Sequence, residues 1–157
     1  KLQLAALALV AILAVAGFSA YRAWAAPARE SVSETVLEEK YGVRIRLVAV
    51  TAGGGMVDFR YKVLDQNKAM ALFGDHKQMP AVIDLDSGVT LQMPAGMEHE
   101  STLQTGRIYI HHFLNGGGAV KMGDKVAVSF GKVQVEPVVA RPYTVELARS
   151  LNRDPGI

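Results

Sequence analysis

Three observations predict a mainly β protein, with an N-terminal transmembrane helix followed by an antiparallel immunoglobulin-like β-sandwich. About seven short segments alternate apolar and polar residues with a period of two, which is the pattern of half-buried strands in a sandwich. Turn chemistry rich in Gly and Asp separates them, including the runs Gly53-Gly54-Gly55 and Gly116-Gly117-Gly118. Ahead of them, Leu2 to Tyr21 carries no charged residue, and a helix of that length reaches roughly 30 Å, the thickness of a bilayer's hydrocarbon core. The domain organisation that follows is an anchor over 1–26, a juxtamembrane segment over 27–42, the sandwich over 43–140 and a tail over 141–157.

The apolar run exceeds the usual signal-peptide core of about 7–15 residues, so a retained anchor is expected. Its surface is rich in small residues. Ala16 and Ala20 form a small-xxx-small pair with Gly17 between them, a face that lets neighbouring membrane helices approach closely. Lys1 before the span and Arg22 and Arg29 after it give the positive-inside rule no clear direction. An outward-facing domain is expected because β-rich domains behind N-terminal anchors are commonly exported. Beyond Pro27, Ser31 and Glu34 fit a capping box, and Val32, Val36 and Leu37 fall on one side of the short helix that follows. Gly42 is placed to end that helix in a left-handed conformation.

At Val43 the period changes from helical to alternating. Val43, Ile45 and Leu47 are expected on one face and Arg44 and Arg46 on the other. After the first glycine run, Val57, Phe59, Tyr61 and Val63 alternate with Asp58, Arg60 and Lys62 in the clearest strand of the chain. Asp65 is a helix N-cap for a short helix ending at Phe73. Ile83 and Leu85 lead into the turn Asp86-Ser87-Gly88, with Val89 and Leu91 returning. Pro94 to Thr105 reads as a polar loop. Arg107 to Leu114 is a strand with Ile108 and Ile110 on one face and Tyr109 and Phe113 on the other. Val126 to Phe130, the turn Gly131-Lys132 and a last strand from Val133 complete the sandwich. The tail from Thr144 to Asn152 spaces Leu147 and Leu151 as one side of a short helix.

Composition narrows the function classes. Seventeen Lys and Arg against fifteen Asp and Glu are scattered singly, which offers no basic stripe for nucleic acid. The chain has no cysteine, so disulfides, thiolate nucleophiles and cysteine-ligated metals are excluded. No nucleophile elbow is present, and no Gly-Lys-Ser/Thr follows either glycine run, so these runs read as hairpin loops rather than phosphate cradles. Asp58 and Arg60 share one strand face and are expected to pair with a neighbouring strand. A metal site is the alternative worth naming. Met93, Met97 and His99 share a loop, and His111 lies on a following strand. Thioethers with imidazoles suit copper, Cu(I) in particular. His111 and His112 are adjacent in a strand and must face opposite ways, so only one of them can join such a site.

The stretches GGGMVDFRYKVLDQNKA and NGGGAVKMGDKVAVSFG resemble a group of uncharacterised bacterial membrane-anchored proteins with a β-rich exported domain, over most of residues 41–140. The resemblance rests on turns and strand faces. It implies a bacterial inner-membrane protein with its soluble domain in the periplasm, and it transfers no activity to any residue. With no catalytic constellation and no resident cofactor in view, the expected function is that of a non-catalytic accessory subunit. Its partners would be the lipid bilayer and the integral membrane subunits that meet Ala16, Gly17 and Ala20. Copper binding or delivery through Met93, Met97, His99 and His111 is the alternative.

Overall fold

The computed structural model describes residues 29–73, 79–93 and 103–153. Among the described residues no helix is long and apolar enough to cross a membrane. The expected span, with Ala16, Gly17 and Ala20, lies outside the described residues, as do Met97 and His99.

The domain is mainly β, in two sheets. One contains β1 (Glu30–Val32), β4 (Pro80–Asp84), β5 (Thr90–Leu91), β7 (Lys125–Phe130), β8 (Val133–Val135) and β9 (Val138–Val139). Its strand order is β1-β8-β7-β4-β5, and β9 also pairs with β7. The second is four-stranded, ordered β10-β2-β3-β6, from β2 (Val43–Thr51), β3 (Met56–Val63), β6 (Ile108–Leu114) and β10 (Arg141–Pro142). The chain makes the β2–β3 hairpin in one sheet and crosses to make β4–β5 in the other. It returns to place β6 beside β3, then crosses again for β7–β8.

The sheets are mixed, which corrects the expectation of a wholly antiparallel sandwich. β1 runs parallel to β8 and β10 parallel to β2. Both strands come from segments flanking the alternating region, and each joins the sheet at an edge. The last strand is also divided. β8 and β9 both pair with β7, but Glu136 and Pro137 interrupt them, because proline has no N–H to give to a ladder.

β1 displaces the expected capping box. Ser31 belongs to the strand, and Ser33 caps α1 (Glu34–Tyr41), its hydroxyl accepting from the Val36 amide at 3.2 Å. Gly42 ends α1 at φ 62°, as expected. Its carbonyl then accepts from the Leu64 and Asp65 amides, and a Cβ there would meet the Asp65 side chain at 2.8 Å. Glycine is therefore required twice over, by φ and by space. Asp65 caps α2 (Gln66–Phe73), its Oδ1 accepting from Asn67 and Lys68. Arg44 of β2 forks onto Glu38 of α1 with both bonds at 2.8 Å. With Leu37 fully buried in the core, the described part of the segment expected to be juxtamembrane, from residue 29 to 42, is part of the folded domain.

A β-bulge revises the first long strand. Ile45 pairs with Tyr61 and Leu47 with Arg60, leaving Arg46 as the extra residue. The insertion reverses the alternation after it. Val48 and Val50 enter the main core, while Leu47, expected on the face of Val43, turns with Ala49 to the opposite side. β3 follows expectation, and Val57, Phe59, Tyr61 and Val63 are all fully buried. They meet Val82, Val126, Val128 and Phe130 of the facing sheet in one cluster. Phe130 presents its ring edge to Tyr61 at 5.8 Å and lies 6.1 Å from Phe59, while Phe73 of α2 stacks on Tyr61 at 5.5 Å.

Candidate functional site

The outer face of the four-stranded sheet gathers the polar residues of interest, and β3 supplies its centre. Residues two apart in a strand share a face, so Asp58, Arg60 and Lys62 all point away from the main core. Antiparallel pairing with β6 sets His112 opposite Asp58 and Ile110 opposite Arg60. On the other side, Ala49 lies opposite Asp58 and Leu47 opposite Arg60. A helix over these residues, α3 (Val145–Arg153), is capped by Thr144, whose hydroxyl accepts from the Leu147 amide at 3.1 Å. Leu147 packs on Leu47 and Ala49. The tail helix expected from the leucine spacing therefore covers β2 with a small second core.

Asp58 is 2% exposed although it sits on the outer face. Arg60 answers it within the strand: Nε donates to Oδ1 at 3.0 Å and Nη2 to Oδ2 at 2.7 Å. The expected partner on a neighbouring strand is replaced by this same-strand fork. The guanidinium also donates to the Tyr143 hydroxyl at 3.2 Å and lies 5.7 Å from that ring's centre. The Asp58 carboxylate, at hydrogen-bonding distance, holds the Arg60 guanidinium above its ordinary range. His112 Nε2 stands 4.0 Å from Asp58 Oδ2, beyond hydrogen-bonding distance. The fork occupies one lone pair on each Asp58 oxygen and fixes the orientation of the carboxylate.

The two adjacent histidines face opposite ways, as their strand requires. His111 is 7% exposed and lies inside, stacked on Tyr61 at 5.7 Å with an interplanar angle of 7° and on Phe59 at 6.3 Å. Met93 is half-buried against the core cluster that contains those rings. Met97 and His99 belong to the segment outside the described residues, so of the four expected copper ligands the structure describes only Met93, against the core cluster, and His111, stacked on its rings. Among the described residues no group of three or more His, Cys, Asp or Glu could hold a metal ion.

The glycine runs are built as kinked turns, at Ala52–Gly54 and Gly116–Gly118, each with its middle residue in the left-handed region, Gly53 at φ 63° and Gly117 at φ 67°. Asn115, 2% exposed, latches them. Its Nδ2 donates to the carbonyls of Gly54 at 2.8 Å and Val120 at 2.7 Å, and its Oδ1 accepts from the Val120 amide at 3.0 Å. The backbone carbonyls, rather than a phosphate, are what the loop is arranged around.

A cleft of about 280 Å³ opens beside the β2 bulge, between Arg46, Glu34 and Arg141, with Val138 and Val139 as one wall. Neither this cleft nor the Arg60–Tyr143 contact was expected from the sequence. The shared face of Asp58 and Arg60 was a signal for the ion pair. Tyr143 and the bulge had none, because both depend on how distant segments meet.

Neither a protein-family model, nor a curated protein, nor a solved structure matches the chain.

Proposed function

We propose that this protein is a non-catalytic accessory subunit of a larger bacterial membrane complex, anchored by Leu2–Tyr21 with an immunoglobulin-like domain in the periplasm. The observation that carries the reading is the outer face of the four-stranded sheet. Its buried carboxylate is held by an arginine fork, while Ile110 and Leu114 beside it are 50% and 69% exposed. Such a face is suited to contact. The order β2-β3-β6 against β8-β7-β4-β5 supports the immunoglobulin-like assignment, since both sheets are joined by crossovers of the Greek-key kind. The anchor's Ala16, Gly17 and Ala20 supply the helix-packing surface.

Solubilisation from native membranes tests it. Ala16→Leu, Gly17→Leu and Ala20→Leu are expected to lose co-purifying membrane subunits while the protein still fractionates with the membrane. Association that survives all three substitutions, or a wild-type protein that brings no other subunit with it, would sink the reading.

Copper binding by Met93, Met97, His99 and His111 is the second reading. Its support is chemical: thioether with imidazole is a donor set that fits Cu(I), and Met93 and His111 both belong to the inner side of the domain. Metal analysis of the full chain after copper loading decides it, and absence of copper at stoichiometric supply would remove it.

A further inference from the structure

We propose that β6 is the edge at which two copies of this chain join, antiparallel, into one continuous sheet. Edge strands expose a row of unpaired backbone groups, and proteins ordinarily blunt them by shortness, lysine, proline or a bulge. Three edges here are blunted by length, since β1 has three residues and β5 and β10 two each. Among the described residues β6 is the exception. It has seven residues, Ile-Tyr-Ile-His-His-Phe-Leu, with no lysine and no proline, and it pairs with β3 from Ile108 to Leu114 without a register shift.

The backbone phase can be read from the strand's two ends. The Val63 amide donates to the Arg107 carbonyl at 3.0 Å, and the Asn115 amide donates to the Gly55 carbonyl at 2.9 Å. Hydrogen bonding alternates along an antiparallel pair, so Tyr109, His111 and Phe113 turn their backbone groups toward β3. Ile108, Ile110, His112 and Leu114 turn theirs to the open edge. A two-fold axis through His111 sets Ile108 opposite Leu114 of the second copy and Ile110 opposite His112. Every residue so matched has an outward N–H and C=O, so the register satisfies the ladder. It is also isologous, the same strand serving both sides.

Charge selects an identical strand in this orientation. The one formally charged residue between positions 107 and 115 is Arg107, whose guanidinium lies 5.3 Å from the Tyr109 ring centre. Antiparallel pairing places the two copies of Arg107 at opposite ends of the joined strands, each beside an Asn115, whereas parallel pairing would set them against each other. On the outer face, the exposed Leu114 meets Ile108 of the second copy directly, and the half-exposed Ile110 meets His112 directly with Ile110 and Leu114 as its diagonal neighbours.

The test is the mass of the full chain in detergent, by sedimentation at tens of micromolar. A dimer is expected for the wild type. Ile110→Lys should weaken it at least about tenfold, because the two introduced charges would lie diagonally across the seam from one another, each opposite a His112. Met122→Lys, at a site 63% exposed on the loop before β7, should leave it unchanged. The cysteine-free chain makes a single spin label at His112→Cys unambiguous. Its twin would lie diagonally across the seam, with backbones roughly 7–8 Å apart, so strong dipolar broadening is expected there and none at Met122→Cys. If Ile110→Lys loses its circular-dichroism signature of folding, the labelled pair alone decides. A monomeric wild type, a dimer that survives Ile110→Lys, or a labelled dimer without broadening at position 112 overturns the proposal. The second of these outcomes assigns association to another part of the chain.

Discussion

Single residues hold this domain at points where two distant segments meet. Asn115 uses both its amide hydrogens and one lone pair of its oxygen on the Gly54 carbonyl and the Val120 carbonyl and amide, in a buried site. Asn115→Ala leaves those groups unpaired, and the loss is expected to be roughly 2–4 kcal/mol, read as a lower urea midpoint at unchanged slope. Arg60 acts in the same way on charge, since removing it would strand the Asp58 carboxylate on a face that α3 and Tyr143 help to close. Gly42 is the third such point, where the end of α1 touches the start of α2 too closely for any side chain.

At the scale of elements, turns and the terminal helix set local stability. Asp84 ends β4 with its carboxylate accepting from the Ser87 amide at 2.8 Å and from the Ser87 hydroxyl. These bonds hold its pKa below the ordinary 3.8. A depressed carboxylate contributes stability above its unfolded pKa and loses it as pH falls through the folded value. Ser87→Ala should therefore cost roughly 1–2 kcal/mol at neutral pH. The gap should shrink when unfolding is measured in acid below the folded pKa. For α3, a nine-residue helix is too short to persist alone in water. Leu147→Asp removes its contact with Leu47 and Ala49, and hydrogen exchange should show α3 amides losing protection while those of β3 keep theirs.

For the whole molecule, two mixed sheets enclose one main core and present separate outer surfaces. The main core lies between the sheets, the small core under α3 closes one part of the outer face, and among the described residues no strand pairs with the far side of β6. Accessory function and edge-to-edge dimerisation make separate demands on this plan. The first is proposed from the outer sheet face and tested at the N-terminal span, while the second rests on the β6 edge and is tested there.

Much of the fold was legible because it is local. The alternation of Val57, Phe59, Tyr61 and Val63 required one buried face whatever lay opposite, and Asp65 and Gly42 marked helix ends by their own backbone chemistry. The opposed faces of His111 and His112 followed from strand geometry alone. Of the outer-face site, the sequence placed Asp58 and Arg60 together but not Tyr143, which arrives from beyond residue 140. The bulge at Arg46, the parallel pairings of β1 and β10 and the open edge of β6 were decided only in three dimensions. Each depends on which strand becomes a neighbour, and pairing energy between distant segments leaves no periodic mark on either one.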